Sequence, residues 1–147
     1  MITLRDFTDN DAETLKIHQY SQLSVEEISK MIGEWNQKQI DGRYFEMFAL
    51  VDENIVVGSI SLYQHTKHIV GCGPDIFSPY RRQGFAYCGM TLVLEYAKQR
   101  GYKVAVAQVR KNNLASIALH QKLNFELDHD YINTKGYEVY FYIKSLT

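Results

Sequence analysis

The 147-residue sequence predicts one α/β domain of mixed α+β organisation, with a central mixed sheet and about four flanking helices. The length suits a single compact domain covering residues 1–147. Strand-like and helix-like segments follow one another as a meander of strands, then helix, strand, helix and a closing hairpin. No linker, internal repeat or low-complexity stretch interrupts this order.

The first third of the chain predicts one strand and two helices. Thr8 and Asp11 have the spacing of a helix cap. Ser24 and Glu27 form a capping box, in which each residue satisfies a backbone N–H of the other, ahead of apolar residues at 3.6-residue spacing. The expected elements are a strand over 2–7, a helix over 11–20 and a helix over 24–35.

Three strands are expected in the middle of the chain, over 45–51, 55–64 and 68–77. The third of these contains Gly71, Gly73 and Pro74. Because glycine and proline weaken regular strand pairing, we expect a bulge or bend near the end of this strand.

The longest predicted helix covers 84–100, and its apolar residues fall on two stripes, as expected for burial between layers. Cys88 lies on one stripe, so we expect it in the core, and we expect Cys72 to be a packed thiol. An almost unbroken apolar run at 103–109 predicts a buried central strand. A short helix over 113–123 and a hairpin formed by 125–131 and 137–143 complete the domain.

Charge and composition argue against several classes of partner. The net charge is −1 and no basic block is present, which argues against nucleic acid. No apolar run has the length of a signal core or a spanning helix, so we expect a cytoplasmic protein without a membrane partner. The two cysteines form no C-x-x-C pair, and His65 and His68 have no third ligand, so neither a disulfide framework nor a metal is expected. A homodimer is left open.

The segment from Ser78 to Ala86 joins a strand to the longest helix. The first turn of a helix exposes unpaired N–H groups and the positive end of the helix dipole. Gly84 permits close approach of a ligand to the backbone, and Arg81 and Arg82 add positive charge. These features predict a socket for a phosphate or pyrophosphate. An ordinary strand-to-helix turn with two solvated arginines is the alternative.

Two motifs in this half of the chain resemble those of the GNAT acetyltransferase superfamily. Residues 81–86, Arg-Arg-Gln-Gly-Phe-Ala, match the R/Q-x-x-G-x-G/A signature, and residues 113–125 resemble the second signature, N-x-x-A/S-I-x-L-Y-x-K-L-G-F. The resemblance implies a mostly antiparallel sheet that is splayed between the fourth strand (68–77) and the fifth (103–109). It also implies acetyl-CoA-dependent transfer of an acetyl group to a primary amine, of a small molecule or a peptide, by direct attack on the thioester. The alternative is a non-catalytic acyl-CoA-binding module or sensor.

The resemblance also implies which residues hold coenzyme A. Backbone amides of residues 82–87 would hold the pyrophosphate, and residues 75–77 would pair with the pantetheine arm. An N–H near Ile76 would face the thioester oxygen, where negative charge develops during attack. The expected cofactor-binding residues are Asp75, Ile76, Phe77, Arg81, Arg82, Gln83, Gly84, Phe85, Ala86, Tyr87, Asn113 and Ser116.

Two positions depart from the family pattern in ways that affect catalysis. His120 stands where the family usually has the Tyr that protonates the leaving thiolate; it shares a helical face with Asn113 and Ser116, and we expect it to be catalytic. Gln108 stands where some members have a Glu base, and an amide cannot act as a base. The base is left open among His120, Asp75, Glu138 and the nearby tyrosines.

Overall fold

Eight strands and four α-helices make up the structure, a computed structural model that describes residues 1–147. The strands are β1 (Ile2–Asp6), β2 (Gln39–Ile40), β3 (Arg43–Asp52), β4 (Ile55–Thr66), β5 (Ile69–Ile76), β6 (Val104–Arg110), β7 (Glu126–Ile132) and β8 (Glu138–Ser145). The helices are α1 (Ala12–His18), α2 (Val25–Trp35), α3 (Phe85–Gln99) and α4 (Leu114–Lys122). Single 3₁₀ turns at Asp9–Asp11 and Ser78–Tyr80 precede α1 and the loop before α3.

The strands form one sheet in the order β1-β3-β4-β5-β6-β8-β7, with the short β2 paired to β3 alone. Every neighbouring pair is antiparallel except β5 and β6, which run parallel. This confirms the predicted mixed, mostly antiparallel sheet. It also places the strand before α3 next to the strand after it, as a strand–helix–strand crossover requires.

The sheet separates between β5 and β6. These strands pair at three positions only, where Ile69–Gly71 lie opposite Val104–Val106. Beyond Gly71, β5 stays paired with β4 as far as Ile76, and β6 stays paired with β8 as far as Arg110. The predicted splay is therefore confirmed, and each strand leaves one backbone edge facing the gap.

The strand at 68–77 was predicted to have a bulge or a bend near its end, and the bulge is absent. The pairing of β4 with β5 is continuous from Gly58 opposite Ile76 to Gln64, and its one irregularity lies at the hairpin end, between Gln64 and Thr66. Gly71 instead lies beneath the Tyr63 ring, since a Cβ there would come within 2.5 Å of the Tyr63 Cζ. Glycine at this position allows the Tyr63 ring to pack directly on the backbone of β5, and the strand contains no extra residue of a β-bulge.

Helices cover both faces of the sheet. α3 packs its buried residues against one face, and α1 and α2 cover the β1–β3–β4 part of the other. The Ser24–Glu27 capping box is present at the start of α2. α1 is shorter than expected at both ends, because Asp9–Asp11 form a 3₁₀ turn before it and the helix ends at His18. No helix has the length and apolar character needed to span a membrane.

The two cysteines differ in environment. Cys72 is buried as predicted, and burial raises the pKa of its thiol to about 12, so it is an unreactive core residue. Cys88 is exposed, so its predicted place in the core is wrong. The buried face of α3 is formed by Gly89, Met90, Val93, Leu94 and Ala97. Gly89 lets the helix approach the sheet closely, and this contact turns Cys88 outward.

Candidate functional site

A cleft of about 700 Å³ opens where β5 ends, between the start of α3 and one side of α4. Ten of the predicted site residues line it. They are Asp75, Ile76, Arg81, Arg82, Gly84, Phe85, Ala86, Tyr87, Asn113 and Ser116. The strand end, the loop and the two helices that carry the sequence motifs therefore meet around one concavity, as ligand sites usually require.

The N-terminus of α3 presents a row of free backbone donors to this cleft. Arg82 and Gly84 both have positive φ, of 65° and 82°, and these left-handed turns lead the chain into the helix. No side chain caps the helix, and no backbone N–H from Arg82 to Tyr87 donates a hydrogen bond within the protein. Since unpaired N–H groups and the helix dipole favour negative charge, the row suits a pyrophosphate.

Cationic side chains surround the same row. Arg81 and Arg82 are exposed at the cleft, and Arg81 donates through Nε to the carbonyl of Ile76, 3.0 Å away. Lys122 lines the cleft from α4, with its ammonium 4.2 Å from the centre of the Tyr87 ring. An anion in the cleft would thus meet cationic side chains from the loop before α3 and from α4.

Sequence reasoning missed six lining residues, namely Pro74, Tyr80, Ala115, Ala118, Leu119 and Lys122. Four of them lie on α4, where only Asn113, Ser116 and His120 were expected to face the site. The sequence spacing could have indicated three of them, because Ala115, Ala118 and Lys122 are separated by three and four residues and so share a helical face. Small residues on that face keep the cleft open, and Lys122 adds its charge.

Three predicted site residues lie outside the cleft lining. Gln83 is exposed in the loop between the two left-handed residues. Phe77 is 2% exposed and stacks on His18, with ring centres 4.7 Å apart, so its side chain belongs to the core beneath α1. Its backbone N–H bonds to the carbonyl of Val57, which ends the pairing with β4. The third residue is His120.

His120 is 2% exposed and points from α4 into the core. Its ring stacks on Tyr142 and meets Phe125 edge to face. Nδ1 lies 2.7 Å from the Ser116 carbonyl, so in the neutral ring Nδ1 carries the proton and donates it. Nε2 is buried without a hydrogen-bond partner. The expected polar stripe is thus divided: Asn113 and Ser116 line the cleft, and His120 lies beneath the helix.

Burial lowers the pKa of His120, and the hydrogen bond to Ser116 opposes this effect only in part. The folded protein then binds this proton less readily than the unfolded chain, in which the pKa is about 6.5. We expect the free energy of unfolding to decline as pH falls below about 6.5, by up to about 1.4 kcal/mol per pH unit from this residue, until the lowered pKa is reached.

Urea unfolding of wild type and His120→Phe between neutral and mildly acidic pH measures this contribution. Phenylalanine keeps the ring packing on Phe125 and Tyr142 but cannot take up a proton. We expect the variant to lose less stability on acidification than wild type. His65, whose pKa is also lowered by burial, is present in both proteins and cancels in the comparison. Parallel curves for the two proteins would contradict a buried neutral imidazole.

The candidate bases differ in their placement. Asp75 is half-buried at the end of β5, and burial raises the pKa of its carboxyl, with Arg81 opposing. Gln19, at the end of α1, donates to its Oδ2 at 2.7 Å. Glu138 is exposed near the start of β8, and Gln108 is exposed on β6. Asp75 alone among these residues lines the cleft.

Comparison with protein families identifies a domain that covers most of the chain. Residues 2–126 match the family described as an acetyltransferase (GNAT) domain. A curated relative from Bacillus subtilis (strain 168), the SPbeta prophage-derived uncharacterized N-acetyltransferase YokL, is 30% identical over 95 residues. That alignment covers 63% of this chain, which spans about half (54%) of the relative.

Solved structures share the fold at low sequence identity. A putative acetyltransferase from Salmonella typhimurium with its cofactor acetyl-CoA superposes with a TM-score of 0.75 at 14% identity, covering 100% of this chain and 95% of the other. A spermidine N-acetyltransferase chimera from Vibrio cholerae and hSSAT gives a TM-score of 0.80 at 16% identity, covering 99% and 95%. At these identities the likeness concerns the fold.

Proposed function

The chain belongs to the GNAT acetyltransferase family, and from this we propose that it binds acetyl-coenzyme A in the cleft and transfers the acetyl group to a primary amine. The amine belongs to a small molecule or to a peptide. The observation that carries the proposal is the row of six unpaired N–H groups from Arg82 to Tyr87, of which all but that of Gln83 belong to residues that line the cleft. Three of these donors, at residues 85–87, are half-buried, and a row of free N–H groups at a helix N-terminus favours an anionic partner.

The cleft fits coenzyme A in three respects. The donor row and the neighbouring cations suit its pyrophosphate. Nothing lies within 4 Å of the position that a Gly84 Cβ would occupy, so a ligand has room against the backbone there. The free edge of β5 beyond Gly71 suits the two amides of the pantetheine arm, which would pair with it as a strand does. Asn113 and Ser116 border the same space from α4.

Bound in this way, acetyl-coenzyme A supplies the activated acetyl group. We propose that the backbone N–H near Ile76 stabilises the charge on the carbonyl oxygen during attack, as a preorganised donor does. The protein's main contribution is then to hold the thioester against the open end of β5 and to exclude alternative orientations of the amine.

Acetyl transfer is tested by following free thiol release from acetyl-coenzyme A with a panel of primary amines that includes spermidine and peptides with free N-termini. Calorimetry with coenzyme A is measured beside it. Binding with thiol release supports the enzyme. Binding without thiol release on any amine would favour the alternative of an acyl-CoA-binding sensor, which the absence of the family's usual Tyr and Glu at His120 and Gln108 suggests. Failure to bind would contradict both.

We propose that His120 donates the proton to the leaving thiolate, in the role of the family's Tyr. The motif supports this role, and Nε2 has no other partner. Because the ring lies beneath α4 and burial lowers its pKa, the role requires the ring to turn toward the cleft and to take up a proton before it donates one. His120→Phe should lower turnover about 100-fold with coenzyme A affinity little changed, the lower range for general acid–base catalysis. His120→Tyr should retain much of the activity. Unchanged turnover in His120→Phe would refute the role.

Gln108 provides a control for these kinetic tests, because we propose that it is not the catalytic base. It occupies the position of the Glu base of some family members, and its amide cannot take up a proton. Replacement by alanine should therefore leave the shape of the pH–rate profile as in wild type. Loss of the pKa that controls the ascending limb of that profile, in Gln108→Ala alone, would show that the site titrates through this position.

A further inference from the structure

We propose that Asp75, held in place by Gln19, receives the ammonium group of the acceptor and removes its proton. This inference rests on the acetyl transfer proposed above, and it names the base that the sequence leaves open. It depends on the position of one carboxylate at the end of β5, on its lack of a cationic partner, and on the residue that orients it.

The strand places the Asp75 side chain on the face of the sheet opposite α3. Side chains alternate along β5, and Val70 and Cys72 belong to the core cluster that packs against α3. Asp75 therefore points toward α1, where Gln19 meets it. Its own backbone lies at the gap beside β6, one residue before Ile76. A carboxylate on this face is at hand for an amine that approaches the gap from the side away from α3 and α4.

The Asp75 carboxylate has no counter-ion in the protein. No lysine, arginine or histidine nitrogen lies within 4.0 Å of its oxygens. The charge of Arg81 lowers the pKa of Asp75, but its Nε donates a hydrogen bond to the Ile76 carbonyl and not to the carboxylate. A half-buried carboxylate without a cation is unfavourable, and an ammonium ion beside it would relieve that cost.

Gln19 fixes the orientation of the carboxylate and offers a second acceptor. Its Nε2 donates to Oδ2 of Asp75 at 2.7 Å, and this bond dictates which way the amide faces. Its Oε1 is then left buried with no hydrogen-bond partner. A primary ammonium carries three N–H donors, so one group could bond to Asp75 and to the Gln19 Oε1 together. A tertiary or quaternary ammonium could not.

The groups that face Asp75, together with its burial, determine how readily its carboxylate accepts a proton. Tyr20 and Gln19 face it from the end of α1, and Arg81 faces it from the loop after β5. Burial raises the pKa of the Asp75 carboxyl above its ordinary value. This brings it closer to the pKa of an alkylammonium group, which is near 10.4. Proton transfer from the amine is thereby easier than it would be to an exposed aspartate.

The step balances as follows in atoms and charge. The ammonium passes one proton to Asp75, and the freed lone pair on nitrogen forms the C–N bond to the acetyl carbon. The C–S bond breaks and its electron pair leaves on sulfur, which takes up a proton from His120. The second proton lost by nitrogen replaces the one that His120 gave. Asp75 then releases its proton to water. One ammonium and one thioester give one amide, one thiol and one proton.

Ammonium binding can be tested without turnover by carbon-13 NMR of the Asp75 carboxyl, assigned through its loss in Asp75→Asn. We expect n-butylammonium chloride to change this resonance saturably and to lower the carboxyl pKa by about one pH unit or more. Tetramethylammonium chloride carries the same charge but no N–H donor, and it should produce only a small, unsaturable change. Equal responses to the two cations would overturn the proposal.

Kinetics with an accepted amine supplies the second test. Asp75→Asn is isosteric and still accepts from Gln19, and we expect it to lower kcat about 100-fold while coenzyme A affinity is kept. Gln19→Leu removes the donor that favours the charged carboxylate, so the ascending limb of the pH–rate profile should move to higher pH. Gln99→Leu, at the exposed end of α3, is the control and should leave the profile unchanged. Wild-type kcat in Asp75→Asn would refute the role even if acetyl transfer is established.

Discussion

Gly84→Val should weaken coenzyme A binding at least about 100-fold, which corresponds to about 2.7 kcal/mol. Gly84 has φ of 82° and lies at the start of α3, in the middle of the row of free N–H groups. Open space surrounds it, so a valine side chain would not clash with the protein. It would stand between the ligand and the backbone donors, and it would strain a left-handed residue by about 1–2 kcal/mol.

The structure offers a matched control for that strain. Gly136, in the turn between β7 and β8, has φ of 85° and likewise has nothing within 4 Å of a Cβ. Gly136→Val should therefore lose a similar amount of stability and keep wild-type affinity for coenzyme A. Calorimetry and urea unfolding of the two variants separate strain from ligand exclusion. Equal affinities in Gly84→Val and Gly136→Val would show that the donor row does not hold the ligand.

Gly58→Ala should impair both stability and acetyl transfer, because Gly58 on β4 packs directly against the backbone at the end of β5. A Cβ at this position would lie 2.5 Å from the Asp75 carbonyl oxygen and 2.9 Å from the Ile76 Cα. Both are backbone atoms, so the strand itself must move. We expect a loss of about 1–3 kcal/mol in the free energy of unfolding, the usual range for overpacking, and at least a tenfold loss of kcat/KM.

Gly73→Ala is the corresponding control on β5. A Cβ there would meet only the Ser61 Oγ, at 3.7 Å, which is an ordinary contact. Its stability should be within about 0.5 kcal/mol of wild type, as for substitutions that break no special feature. Chemical unfolding and steady-state kinetics on both variants decide the matter. If Gly58→Ala behaves like Gly73→Ala, the position of the β5 end is not critical to the site.

The parts of the site that the sequence predicted are those fixed by local chemistry. A glycine and two arginines ahead of a long apolar-striped segment marked the start of α3, and Ser24 with Glu27 marked the start of α2. Both signals lie within a few residues of the feature they specify, so they need no knowledge of the fold. The splay between β5 and β6 was predicted from the family resemblance of the motifs and not from strand patterns.

The errors arise where a side chain's direction depends on distant contacts. Cys88 lies on an apolar stripe, but α3 is rotated by the close approach of Gly89 to Ile60 and Leu50, which periodicity does not encode. His120 shares a face with Asn113 and Ser116, but its packing on Tyr142 is decided by a strand that follows it in the chain. The contact between Gln19 and Asp75 joins residues 56 positions apart. Sequence reasoning placed Asp75 among the candidate bases and had no means of finding Gln19.

The gap between β5 and β6 has a consequence for how the protein unfolds. One half of the sheet contains β1 to β5 and the other contains β6 to β8. Backbone pairing joins them at only three opposed residues on each strand, and the core beneath α3 is their other connection. A ligand that bonds to both free edges would act as a missing strand and couple the two halves. Amide hydrogens of each half should then exchange with separate opening free energies in the free protein, and these should converge when the gap is filled. In that sense the ligand would complete the cooperative unit as well as occupy the site.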